Sequence, residues 1–164
     1  LTTYLAAFFY AAAMLLANLL VSKFGPAISP VLAFFLIGFD LSMRDWLHVR
    51  LRPAQMIGLI CVAGALTYGL NPAAGVIAVA SAVAFTSAAL VDWATFTRMR
   101  GSWLFRANGS SVAGAAVDSL IFPTLAFGAL MPNIALMQFV AKVAGGAIWA
   151  ALLARTVQRE ADAF

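Results

Sequence analysis

The chain has 164 residues, 64% of them hydrophobic and only 10% charged, with a mean hydropathy of +0.98. Soluble domains carry about a quarter charged residues, so this composition excludes an ordinary water-soluble fold and indicates an integral membrane protein. The net charge of +4 and the pI near 9.8 reflect arginines between apolar spans rather than a nucleic-acid-binding face.

Six apolar segments are expected, in one all-α, polytopic membrane domain covering residues 1–164. The first, about Thr2 to Ser22, ends at Lys23-Phe-Gly-Pro. It reads as a span with a short extension ahead of it rather than as a cleaved signal peptide. The second, about Ile28 to Met43, is short and passes into the polar RDWLHVRLR stretch, which places His48 at the membrane surface. The third runs from Pro53, well suited to a first helical turn, to Leu70; its Cys61 reads as inert packing. Asn71-Pro72 marks a tight turn. The fourth extends from about Ala73 to Thr97, the fifth from Asn108 to Met131, and the sixth from about Asn133 to Val157.

Basic residues follow the second span (Arg44, Arg50, Arg52), the fourth (Arg98, Arg100, Arg106) and the sixth (Arg155, Arg159). The opposite loops carry only Lys23. The positive-inside rule then places both termini in the cytoplasm.

The charges inside these spans are the candidate site. Asp118 lies ten residues into the fifth span, roughly 15 Å along a helix at 1.5 Å per residue, and Lys142 nine residues into the sixth, roughly 13 Å. An ion pair between them would satisfy both charges. It could serve only to lock two helices, or the charges could face a cavity and meet a solute. Ser111, Gly114, Ala115 and Phe122 share the face of Asp118, and Pro123 withholds the helical donor from the carbonyl of Ser119. Gln138, Lys142, Gly145, Gly146 and Trp149 share one face, which reads as a solute surface with donors, clearance and an aromatic plane. Asp92, beside Trp93 and along a face with Ser81, Phe85 and Ala88, is either a second acid for solute or proton or the partner of Arg98 or Arg106. Asn18 faces the bundle or a ligand. Asp40, Arg44 and Asp45 read as an interfacial ion network.

Small residues at four-residue spacing, Ala7 with Ala11, Ala13 with Ala17 and Ala141 with Gly145, allow close helix approach. One cysteine and one histidine exclude an internal disulfide and the common zinc clusters within one chain. No nucleophile–base pair, P-loop, GxSxG or HExxH pattern is present, so neither a catalytic site nor a cofactor is expected.

Four stretches resemble the queuosine-precursor transporter family, a group of vitamin-uptake transporters: LLANLLVSKFG, LSMRDWLH, LVDW at 90–93 and, most specifically, VDSLIFPTLAFG at 117–128. The resemblance implies a six-helix bacterial inner-membrane protein, similar in architecture to the solute-binding subunits of energy-coupling-factor transporters. It also implies uptake of 7-cyano-7-deazaguanine or 7-aminomethyl-7-deazaguanine for tRNA queuosine synthesis. The chain is shorter than typical members, mainly at the N-terminus. A deazaguanine offers a ring N–H and an exocyclic amine to one carboxylate, here Asp118, with Asp92 as second acid. Lys142, Gln138 or Asn18 would serve its carbonyl, and Trp93, Phe96, Phe122 or Trp149 its ring. The alternatives are a vitamin-binding subunit docked on an ATPase module through Ala7 and Ala11, and a non-transport scaffold or enzyme. The lipid bilayer and a small-molecule solute are the expected partners; a homo-oligomer is a further partner the sequence leaves open.

Overall fold

The computed structural model describes residues 3–48, 50–70 and 75–161, and all regular structure among them is helical. In chain order the helices are α1 (Thr3–Phe24), α2 (Ser29–Leu32), α3 (Gly38–His48), α4 (Pro53–Leu70), α5 (Gly75–Arg98), α6 (Trp103–Phe127) and α7 (Pro132–Ala161). A 3-10 turn, Pro26–Ile28, precedes α2, and a π-helical segment, Ala33–Ile37, joins α2 to α3. The stretch Pro26–Leu47 thereby forms one continuous apolar rod. It and four others, Thr3–Phe24, Gly75–Arg98, Trp103–Phe127 and Pro132–Ala154, are long and apolar enough to cross a membrane.

The burial pattern inverts that of a soluble protein. Tyr4, Phe8, Phe35, Val79, Leu120 and Leu136 are each more than half exposed, while Asp40, Arg44, Asp45, Asp92, Asp118, Gln138 and Lys142 are all buried. So much exposed apolar surface is stable only against lipid. Cys61 also faces outward, not into the core.

The α3 helix is the centre of the bundle, packed by α1, α4, α6 and α7. This corrects the expectation for the second span. Its polar end does not fray into an interfacial network; every residue from Asp40 to Leu47 is buried. The apolar core around it joins Tyr10 and Met14 of α1, Leu41, Trp46 and Leu47 of α3, Met56 of α4, Phe85 of α5 and Ala115 of α6.

Glycine sets the closest crossing. A methyl on Gly145 would land on the Phe34 carbonyl, and one on Gly38 would lie 2.7 Å from the Gly145 backbone. Ser42 Oγ donates to the Gly146 carbonyl at 2.8 Å across the same seam. Gly145 and Gly146 are thus a helix seam, and not the solute-facing clearance that their helical face suggested. Ala7 and Ala11 likewise pack against the chain's own core.

The fifth span begins earlier than its polar residues indicate. Ser102 caps α6 by accepting from the Phe105 N–H at 3.3 Å, and Gly128 ends it in the left-handed conformation at φ 73°. Arg106 stays inside the helix because its Nε reaches the Phe96 carbonyl at 3.1 Å while its guanidinium stacks 4.0 Å from the Phe96 ring centre. The Asn71-Pro72 turn and the side chains of His48, Arg155 and Arg159 lie outside the described residues.

Candidate functional site

The Asp118–Lys142 pair forms, and it forms where equal helical depths require. Asp118 is nine residues from the end of α6 and Lys142 ten from the start of α7, or about 13 and 15 Å from the turn between them. Lys142 Nζ donates to Asp118 Oδ2, to Gln138 Oε1 at 2.9 Å and to Ser119 Oγ at 3.2 Å. Three ammonium protons thus meet three acceptors, which is what an ammonium buried to 1% exposure requires. The chain of bonds continues outward: Gln138 Nε2 donates to Ser29 Oγ at 3.0 Å, and Ser29 donates to the Pro26 carbonyl at 2.6 Å.

Two polar atoms are left over. Asp118 Oδ1 and Ser81 Oγ are buried and have no protein hydrogen-bond partner. Both residues line a cavity together with Asn18, Gln138, Lys142, Phe85 and Phe122. Five of the six expected spans contribute to it, and all contribute from one end of the bundle, where α1 and α6 finish and where α2, α5 and α7 begin. The cavity has a volume of about 30 Å³. That admits a water or two, whereas sites for drug-sized ligands run to about 300 Å³ and more.

Of the residues expected at the site, Asp118, Lys142, Gln138, Asn18 and Phe122 come together here. Trp93, Trp149 and Asp92 do not line the cavity. Trp93 is 45% exposed on the outer face of α5, and Trp149 packs edge-on against Phe39 with ring centres 5.0 Å apart. The sequence reading missed Ser29, Ser119 and the role of Ser81. Of the three only Ser81 carried a signal, through its place with Phe85 on the face of Asp92; nothing in the spacing sets the hydroxyls of Ser29 and Ser119 beside Gln138 and Lys142.

Asp92 belongs to a second polar cluster farther along the bundle. Its partner is Arg44, Nη2 to Oδ1 at 3.4 Å, and not Arg98 or Arg106. Arg98 and Arg106 instead donate to carbonyls at the end of α5, Ala94 and Phe96. Gly114 makes room for this contact, since a methyl there would come within 3.1 Å of Arg44 Nη2. Asp45 accepts from Ser111 Oγ at 3.2 Å. From Ser81 to Asp92 along α5 is eleven residues, about 16 Å. The interior is therefore polar at two levels.

A family model described as "Putative vitamin uptake transporter" matches residues 4–155. No curated protein and no solved structure matches the chain.

Proposed function

The chain belongs to this family of vitamin uptake transporters, and from that premise we propose that it carries a queuosine precursor, 7-cyano-7-deazaguanine or 7-aminomethyl-7-deazaguanine, across the bacterial inner membrane. The observation that supports this reading is the pair of unpartnered atoms, Asp118 Oδ1 and Ser81 Oγ, beside donors and two phenylalanines in one cavity. A deazaguanine edge presents two N–H groups side by side. Asp118 Oδ1 accepts one outright, and Oδ2, which has lone pairs beyond the one Lys142 uses, accepts the other. Lys142 turns from Gln138 to donate to the ring carbonyl, Ser81 meets a ring nitrogen, and Phe85 and Phe122 flank the ring. At about 30 Å³ the cavity is far smaller than a deazaguanine, so binding requires helices to part. The π segment Ala33–Ile37 and Pro123, both in cavity-lining helices, are the local departures from regular helix at which such a movement is easiest.

The carrier spans the membrane six times with both termini in the cytoplasm. The span beyond the five long apolar helices is α4, third in chain order, whose 18 residues carry no charge and rise about 27 Å. It packs against α1, α3 and α5 as a bundle member. In this orientation the cavity lies toward the outside and the Arg44–Asp92 cluster toward the cytoplasm. In this reading the chain acts without an ATPase module; Ala7 and Ala11, the small-residue pair that would dock one, are partly buried against its own core.

The test is accumulation of radiolabelled 7-cyano-7-deazaguanine by proteoliposomes holding the purified chain alone. Saturable uptake, abolished in Asp118→Asn, is expected. Uptake that survives Asp118→Asn, or that needs an added ATPase, contradicts the proposal.

A further inference from the structure

Two groups of helices are distinguished by how they are joined. The rod Pro26–Leu47 and α7 run side by side in the same direction. They are fastened at Ser29–Gln138, where Gly145 meets Phe34 and Gly38 backbone to backbone, at Ser42–Gly146 and at Phe39–Trp149. Backbone contact of this kind leaves no slack for one element to tilt against the other. The second group is the α5–α6 hairpin, packed from end to end. Ala80 and Ala84 share an apolar cluster with Phe122, a methyl on Gly114 would lie 3.4 Å from the Ala88 carbonyl, and Arg106 holds Phe96 near the turn.

Polar side chains tie one group to the other, at two levels. At the cavity, Lys142 of α7 meets Asp118 and Ser119 of α6. At the second level, Arg44 of α3 meets Asp92 of α5 at 3.4 Å, and Asp45 of α3 accepts from Ser111 of α6 at 3.2 Å. Ser111 and Asp118 are two turns apart on one face of α6, about 10 Å. The second tie is the looser. Arg44 and Asp92 form an ion pair without a hydrogen bond, since both Asp92 oxygens and all three guanidinium nitrogens lack a hydrogen-bond partner. The cavity itself lies between the two groups, with Ser81 and Asp118 on the hairpin and Ser29, Gln138 and Lys142 on the rod and α7. A solute leaving it along that interface toward the far end of α5 meets Arg44–Asp92 and Asp45–Ser111.

We infer that the α5–α6 hairpin rocks as one body against the rod and α7. Arg44–Asp92 and Asp45–Ser111 form the cytoplasmic gate, and Lys142 with Asp118 and Ser119 forms the outer gate. One gate parts while the other holds, because a stiff hairpin that tilts away at one level presses in at the other. The inference rests on the transport reading for what the gates do, and on the contacts alone for where they lie.

The test needs no solute. Ser81→Cys, nearly isosteric with the native residue and lining the cavity, is placed in a Cys61→Ser background. Its reaction with a charged, impermeant methanethiosulfonate is followed from outside in intact cells and from the cytoplasmic face in inverted vesicles. Asp92→Asn, or the milder Ser111→Ala, should speed labelling from the cytoplasmic face about tenfold and slow it from outside, as losing roughly one polar tie shifts the two populations. Asp118→Asn, or the milder Ser119→Ala, should do the reverse. A fold that is merely loosened would label faster from both faces. Equal changes on both faces, the same favoured face for both pairs of variants, or no change in any of them overturns the inference. Opposed effects with the two faces exchanged support the gates and invert the orientation. Opposed effects in a protein that moves no deazaguanine support the gates and overturn the substrate reading instead.

Discussion

Lys142 is the residue whose environment is most fully specified: three protons, three acceptors, and almost no exposure. Removing it strands a buried carboxylate, so Lys142→Met should destabilise the protein by about 3–5 kcal/mol, read as a lowered melting temperature in detergent. The double variant Asp118→Leu/Lys142→Met should recover most of that stability, because an apolar pair of similar volume replaces both charges, and should bind no deazaguanine. A double variant no more stable than the single would contradict the pairing. Ser81→Ala makes the complementary prediction. The hydroxyl has no protein partner to lose, so stability should hold while deazaguanine affinity falls about tenfold, the value of roughly one hydrogen bond. The pair itself was legible from the sequence because depth along two antiparallel helices follows from residue counting alone. Ser81 was only half legible: its face was evident, but whether a hydroxyl bonds its own helix or looks into a cavity depends on neighbours that residue counting does not place.

At the scale of elements, the seam between the π segment and α7 is the tightest in the bundle. Gly145→Ala would push a methyl into the Phe34 carbonyl. Overpacking of this kind should cost about 1–3 kcal/mol, and uptake should fall as the two elements are forced apart; an unchanged melting temperature would show the seam to be looser than described. The sequence places Gly145 and Gly146 on the same face as Lys142 and reads the whole face as solute-facing, whereas Gln138 and Lys142 line the cavity and the two glycines meet a neighbouring helix. A helical face running from Gln138 to Trp149, about three turns, is long enough to meet a cavity at one end and a neighbouring helix at the other, and periodicity does not distinguish them. The bounds of α3 and α6 differed for one shared reason. Charge in the sequence suggests the end of a span, whereas Arg106 meets a carbonyl and a ring inside α6, and the charges of α3 continue into the bundle, where Arg44 meets Asp92 and Asp45 meets Ser111.

For the whole molecule, the all-helical architecture followed from composition alone, because a bilayer leaves backbone groups no partner but their own helix or a closed barrel. Orientation can be checked directly. In a Cys61→Ser background, single cysteines at Gly25 and Asn133 should react with a membrane-impermeant maleimide in intact cells, while those at Arg52 and Ser102 should react only after permeabilisation. The reverse pattern would invert the carrier and move its cavity to the cytoplasmic side. Two polar levels lie along one side of α5, the cavity at Ser81 and the ionic cluster at Asp92. The measurement that tests this account most directly is thermal stabilisation of the purified protein by deazaguanines, compared with other nucleobases and water-soluble vitamins. Ligands that bind only the folded state raise its melting temperature by mass action. The account predicts a shift with 7-cyano- or 7-aminomethyl-7-deazaguanine that disappears in Asp118→Asn. A shift with a vitamin alone, or one that Asp118→Asn leaves intact, would contradict it.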